Sequence, residues 1–500
     1  MNPGHRIGPR WAAAGLAASM ALAGCAVGPD YTRPAMDLPG AYKEAGPWKP
    51  AQPGAIDSNM RWWETYGDPT LNSLIVAANA ANQNIQQAQA QYRQARAAAD
   101  AARAGFWPSV GANASAGRAR AKSNGVTGVS NSYSAAIDVS WEPDLWGAVR
   151  RQVEASDAST QASEASLAAA RLSIQAALAQ DYLQLRAVDR EKDLYARTLE
   201  AYARTLKLTR SQYDAGVALR SDVAQAEAQF KTAQAQSIDL DASRNQLEHA
   251  IAILTGRAPA QFSLAPFPAS QPWMFQVPPV PTGLPSDLLE RRPDIAAAER
   301  NVASANADIG VARAAYFPSL VLSASGGFGA ASFAQWFNAP GRVWSLGALL
   351  AGTIFDGGLR HARDAQAVAA FDASAAQYKQ TVLGAFQEVE DNLSTLRVLD
   401  DEARAQDEAV TASRLSEQLA LAQYRAGTAT FLTVAVAQAL TLSNERTAVQ
   451  LRGRQMVASV ALVKAVGGGW NAGALDTPDA QALAVAGRPA AASQPSTHNE

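Results

Sequence analysis

The sequence predicts a mainly α-helical chain with a small β part, built from a unit that occurs twice and runs helix, strand pair, two long helices. Three observations carry that expectation. First, the 500 residues match themselves in order at an offset of 210 to 211: Asn84-Ile85 stands opposite Asp294-Ile295, the run 102–110 opposite 312–320, Gly147–Arg150 opposite Gly357–Arg360, and Gln212–Val217 opposite Gln423–Thr428. One such match is weak in an alanine-rich chain, but four in register mark a duplication, with a period far too long for a solenoid. Second, proline is absent between Pro143 and Pro259 and between Pro340 and Pro478, and glycine is sparse there, as long helices require. Third, Tyr133, Ala135, Ile137, Val139 and Trp141 alternate with Ser132, Ser134, Ala136, Asp138 and Ser140, the period of a strand with one apolar and one polar face.

The N-terminus comes first. Residues 1–24 carry Arg6 and Arg10, then an apolar run from Trp11 that ends Leu22-Ala23-Gly24-Cys25. The run is too short to span a bilayer and reads as an export signal. Small residues before the chain's single cysteine resemble a bacterial lipoprotein signal, with Cys25 as the lipidated first residue; a plain signal peptide with a chance cysteine is the alternative. Cleavage there leaves 41 cationic against 45 anionic residues, a net charge of -4. Ala26 stands where an inner-membrane retention signal would place Asp. Acyl chains give a firm anchor at about 0.8 kcal/mol per buried CH₂. No later stretch is apolar for the eighteen or so residues of a membrane helix, so any bilayer crossing must use β-strands in a closed barrel.

Segment 25–70 follows as an anchored N-terminal stretch, then repeat 1 over 71–257. Its opening helix, about 70–105, stops at Trp107-Pro108, and its counterpart at about 290–315 stops at Phe317-Pro318. Strands are expected at about 109–121 and 131–143, separated by a long polar loop from Arg118 to Asn131. Long helices follow at about 147–213 and 221–255, joined by a tight turn at Gly216. A Pro-rich linker covers 258–287. Repeat 2, 288–470, has strands at about 319–331 and 343–355 and helices at about 359–425 and 431–466, turning at Gly427. A helix of some 66 residues is about 100 Å long, too long for a globular domain. Apolar positions such as Leu172, Ala176, Ala179 and Leu183 therefore need neighbouring helices. The tail 471–500 has little to pack.

Composition excludes several functions. A balance of 43 Lys+Arg against 45 Asp+Glu gives no basic field for nucleic acid. One Cys and four His exclude a Cys/His metal cluster and an internal disulfide. His249 and His361 lie near no recognisable nucleophile motif and read as surface or packed histidines, so no catalytic residue, metal or enzyme activity is expected.

Four strands cannot close a transmembrane barrel, for which about eight is near the minimum. Self-assembly is required, and three copies would supply twelve strands and twelve long-helix segments. Further marks stand in order: Cys25–Tyr31 with Pro34, Trp62-Trp63, Asp68-Pro69-Thr70-Leu71, Arg291–Ile295, Phe355-Asp356-Gly357-Gly358 and Gly467-Gly468-Gly469-Trp470. Over nearly the whole mature length these resemble the TolC-like outer-membrane efflux factors, in particular the NodT-type lipoproteins paired with resistance-nodulation-division pumps. The resemblance implies a homotrimer with a 12-stranded β-barrel continued by a 12-segment α-helical barrel. It implies a lipid-anchored outer-membrane channel-tunnel reaching into the periplasm, with residues 258–287 in an equatorial collar. Its function would be a passive exit duct for drugs or other small toxic compounds, delivered by an inner-membrane pump through a periplasmic membrane-fusion adaptor. Beyond the lipid on Cys25, no cofactor is expected. The alternatives are a lipid-anchored periplasmic tether, against which the strand pairs argue, and the exit duct of a protein secretion system.

The resemblance also places function at the helical tips. Gly216, Val217, Leu219, Arg220 and Ser221, with Gly427 and Thr428, are the expected adaptor-docking residues. Ser221 or Asp222 reads equally well as the N-cap of the next helix. Leu432 matches the family's pore-narrowing leucine, but its acidic and basic positions hold Val436 and Ala439. The expected closure is therefore apolar, Leu432 with Val436, and Asp222 or Glu227 are the only nearby acids of the other hairpin.

Overall fold

The computed structural model describes residues 26–37, 39–44, 61–123, 126–268, 277 and 287–475. Its elements in order are α1 (Pro69–Ala81), α2 (Gln83–Ala104), β1 (Ser109–Ser123), β2 (Val126–Trp141), α3 (Ala148–Asp214), α4 (Arg220–Leu254), α5 (Leu288–Arg291), α6 (Pro293–Ala314), β3 (Ser319–Ala330), β4 (Arg342–Ala351), α7 (Leu359–Arg425) and α8 (Phe431–Ala465). The duplication extends to element lengths: α3 and α7 have 67 residues each, α4 and α8 have 35, α2 and α6 have 22. At 1.5 Å per residue α3 and α7 are rods of about 100 Å. No described helix is long and apolar enough to cross a membrane.

The helix expected over 70–105 is two helices. Asn82 adopts an extended backbone, and its side-chain oxygen accepts from Asn84 N at 2.9 Å and Ile85 N at 3.2 Å, ending α1 and capping α2. In repeat 2 the break falls at Arg292, which Pro293 holds extended, so the helix expected over 290–315 is the single turn α5 followed by α6. The Asp68-Pro69 pair is an N-terminus of the same kind: Asp68 accepts from Thr70 N at 2.7 Å, while Pro69 occupies the first turn.

These breaks build a lock that recurs in both repeats. Asn82 donates to Leu254 O at 2.9 Å, and Arg292 donates to Ala465 O at 3.1 Å, each tying the break to the end of the last long helix of its unit. The glycines that follow, Gly256 and Gly467, have φ of +72° and +94°, and a Cβ added there would stand 2.4 Å from Ala81 O and 2.0 Å from Arg291 O. The contact needs glycine for both reasons.

The four strands form one antiparallel sheet in the order β1-β2-β3-β4. The polar loop expected from Arg118 to Asn131 is instead strand: β1 and β2 pair without interruption from Ser109↔Ser140 to Ser123↔Val126. Polar residues form strand there because a ribbon packed against no other layer needs no apolar side, and the Asn124-Gly125 dipeptide is a strong hairpin-turn signal. At the other ends β2 stops at Trp141 and β4 at Ala351, short of the expected 143 and 355.

At the sheet's base Trp146 stacks on Phe317, centroids 4.8 Å apart, and donates to Pro318 O at 2.7 Å, joining the repeats. The largest core cluster gathers side chains of α1, α3, α6, α7 and α8, with Tyr182 fully buried and donating to Asp68 at 2.5 Å.

Candidate functional site

The sheet has two chemically different faces. Val110, Ala112 and Ala114 pair with Val139, Ile137 and Ala135, an apolar face. On the other face Asn113 bonds Asp138, and Ser115 meets Ser134 at 2.8 Å. Repeat 2 continues both faces, with Leu346 opposite Ala324 on the first and Ser325 meeting Ser345 at 3.0 Å on the second. One face suits lipid and the other water, and among the described residues the outer edges of β1 and β4 have no partner strand.

Leu22, Ala23, Gly24 and Cys25 lie outside the described residues, and so does most of the 258–287 linker. The chain is described from Ala26 onward, against the junction of sheet and helix: Val27 N donates to Trp146 O at 3.1 Å, and Arg151 donates to Val27 O at 3.2 Å and Asp30 at 3.0 Å. It then follows α6, where Asn306 donates to Pro29 O at 3.0 Å and Tyr31 donates to Glu299 at 2.5 Å. Further on, Glu390 of α7 accepts from Lys43 N and Glu44 N at 2.7 and 2.9 Å.

At the far ends of the rods each helix pair turns on a glycine with positive φ, +75° at Gly216 and +74° at Gly427. Val217 N reaches back to Gln212 O at 2.8 Å and Thr428 N to Gln423 O at 3.0 Å, closing equivalent turns. The side chains around them differ. Tyr424 is 6% exposed, packs edge-on against Phe431 at 5.8 Å and donates to Thr209 at 3.2 Å, whereas its counterpart Tyr213 is 43% exposed. Val217 and Leu219, which follow Tyr213 through the turn, are exposed as well, so the first turn carries three uncovered apolar side chains. Arg220, opposite the buried Phe431, is exposed, as are Ser221, Gly427 and Thr428. Neither Ser221 nor Asp222 is the N-cap, which is Leu219; Asp222 sits three residues on and accepts from Leu219 N at 3.2 Å. A carboxylate one turn in can reach back to the cap amide and also meets the positive end of the helix dipole.

Leu432 and Val436 are 56% and 60% exposed on one face of α8, while Phe431, Val434 and Ala435 bury the opposite face. Leu440, one more turn along, extends the exposed stripe. The same spacing of four was legible in the sequence and Leu440 could have been read from it. Glu227, the other acid considered, pairs with Arg210 at 3.3 Å across α3 and α4, both exposed. His249 and His361 are exposed on helices.

Glu417 was not singled out from sequence, and nothing local marks it. It is half-buried beside Thr441 and Gln438, and burial pushes its carboxyl above the usual range against the opposing pull of those bonds. The ionised form is the disfavoured one in the fold, so its cost is present at neutral pH and disappears as pH falls below the ordinary carboxylate range. Glu417→Gln is expected to raise the thermal midpoint at pH 7.5 and to lose that advantage at pH 4. Equal gains at both pH values would contradict it.

A model of the outer membrane efflux protein family matches residues 74–257 and again 284–468, one match for each helix–strand–helix unit. The chain is 31% identical over 434 residues to the pyoverdine export outer membrane protein OpmQ of Pseudomonas aeruginosa, covering 85% of this chain and 90% of that one. It is 30% identical over 455 residues to the probable efflux pump outer membrane protein TtgC of Pseudomonas putida, covering 90% and 93%. Among solved structures, the outer-membrane channel OprN superposes with a TM-score of 0.83 at 34% identity, over 89% of this chain and all of that one. On these matches, which span both repeats and the sheet between them, the chain belongs to the outer membrane efflux protein family.

Proposed function

We propose that this chain is the outer-membrane subunit of a tripartite efflux system and gives compounds a passive way out. One observation carries the reading: a sheet with one apolar and one polar face and two unpaired edges runs directly into rods of about 100 Å. In lipid the unpaired edges of β1 and β4 must be satisfied, and pairing β1 of one copy with β4 of the next does so. Three copies give twelve strands, enough to enclose a lumen lined by Asn113, Ser115 and Ser345. The work is done by an inner-membrane pump, of the resistance-nodulation-division type, and the compounds are handed over by a periplasmic adaptor. The names of the relatives, pyoverdine export and efflux pump, point to small organic cargo.

The lipid anchor fits the same frame. Ala26 lies where the apolar sheet ends and the rods begin, which is the periplasmic surface of the membrane, so an acyl chain on the residue before it would enter the inner leaflet. Cys25→Ser is expected to abolish metabolic labelling with palmitate.

The apolar patch of Tyr213, Val217 and Leu219 is the surface offered to the adaptor, and Leu432 with Val436 is the closure. Cells lacking their own outer-membrane factors, given this protein with its native adaptor and pump, are expected to expel a preloaded dye. Absence of efflux from a correctly localised trimer would refute the reading. Leu432→Ala is expected to admit large antibiotics that the parent excludes, raising sensitivity severalfold, and unchanged sensitivity would remove Leu432 from the closure.

A further inference from the structure

The β1–β2 hairpin is longer than the sheet. Pairing of β2 with β3 begins at Tyr133↔Ala330, so residues 117–123 and 126–132 extend beyond the four strands as a two-stranded ribbon. At about 3.3 Å per residue the ribbon reaches about 20 Å past the sheet. The level at which it leaves is marked by aromatics: Tyr133 meets Phe333 at 5.8 Å and Trp336 at 5.7 Å, and Phe328 meets Phe337 at 5.6 Å. Aromatic side chains of this kind collect at the membrane–water boundary.

Side chains alternate between the two faces of a strand without exception along an unbroken ladder, so the apolar face can be followed upward. After Val110, Ala112, Ala114 and Ala116, the next positions on the same face are Arg118, Arg120 and Lys122. Their cross-strand partners are Asn131, Val129 and Thr127, none of them acidic. All three cations are exposed, and none forms an ion pair among the described residues. Arg342, exposed beside Phe328 on the same face, adds a fourth. No Asp or Glu occurs in residues 109–137 or 319–351. Successive same-face cations about 7 Å apart repel one another, and among the described residues no acidic partner offsets them.

We infer that this outward face of the hairpin is a docking surface for the phosphate-bearing headgroups of outer-leaflet lipid. The cations continue the lipid-facing side of the sheet just above its aromatic boundary, where headgroup phosphates stand, and they do not share the polar face assigned to the lumen. Alternate spacing lets separate cations meet separate phosphates, with Arg able to bind each through two nitrogens. The inference rests on one part of the channel reading, that the sheet sits in the membrane with its apolar face toward lipid, and not on conduction.

The test uses the purified full-length trimer in detergent, titrated with a diphosphorylated glucosamine-disaccharide lipid and with its enzymatically dephosphorylated form, binding being read by native mass spectrometry. The parent is expected to prefer the phosphorylated lipid. The triple variant Arg118→Gln, Arg120→Gln, Lys122→Gln is expected to bind it at least tenfold more weakly, from about fivefold per cation near an anionic surface. Replacing both arginines by lysine is expected to keep most of the binding. Equal binding of the phosphorylated lipid by parent and triple variant, or no preference for phosphate in the parent, would overturn the inference. So would a changed anion-to-cation selectivity of single channels in the triple variant, because it would put the cations in the lumen. If neither protein conducts but phosphate-dependent binding persists, the channel reading fails and the lipid surface stands.

Discussion

Arg244→Leu is expected to lower stability by about 3–5 kcal/mol, the cost of removing one member of a buried charge network. The Arg244 guanidinium donates to Asp189 at 2.8 Å, Glu248 at 2.8 Å and Leu264 O at 2.7 Å. Asp189, whose side chain is 2% exposed, also accepts from Arg186 at 3.1 Å and from Phe267 N at 3.0 Å, and Glu248 accepts from Leu264 N at 2.6 Å. The cluster therefore pins the start of the Pro-rich linker, residues 264–267, to α3 and α4. Without Arg244 two carboxylates remain in a site with little water, the linker loses its direct tie at Leu264 O, and the carboxylates that hold Leu264 N and Phe267 N lose their shared cation. The expected result is a lower melting midpoint with new protease cleavage near residues 258–268. Arg244→Lys keeps the charge but not the planar fork and should fall between the two. A melting curve for Arg244→Leu matching the parent would show that the network adds nothing.

Gly467→Ala is expected to cost about 2–5 kcal/mol, combining about 1–2 kcal/mol for a left-handed backbone with about 1–3 kcal/mol for overpacking. The new Cβ would meet Arg291 O at 2.0 Å and Arg291 C at 2.7 Å. The neighbouring residue cannot yield easily, because Arg292 is held by Ala465 O at 3.1 Å, Glu388 at 2.7 Å and Asp294 at 2.6 Å. Gly427→Ala is the control: φ is +74° but nothing lies within 4 Å of the added atom, so only the backbone term of about 1–2 kcal/mol applies. The pair should separate in a gel assay of heat- and detergent-resistant trimers, with Gly467→Ala losing them at a markedly lower temperature. Equal loss would mean that close approach adds nothing to backbone strain.

Much of the architecture was legible because it depends on local chemistry repeated over long stretches. Absence of proline gives rods, glycine at 216 and 427 gives turns, and serine–apolar alternation gives β2. The misread loop at 118–131 shows the limit of that reasoning. Polarity suggests a loop there, whereas the Asn124-Gly125 dipeptide points to a hairpin turn. The helix break at Asn82 has another reason: an asparagine in an alanine-rich segment is common, and the bond that anchors this one's side chain beyond its local cap goes to Leu254 O, 172 residues away.

The sequence by itself determined the duplication, the rods and the turns, since each follows from spacing along the chain. Tertiary structure alone decided which of two equivalent tyrosines, Tyr213 or Tyr424, is uncovered, and that Arg244 holds the linker. The physical reason is that burial and charge pairing are properties of what packs opposite a residue. In a duplicated chain the same local sequence meets different neighbours in its two copies.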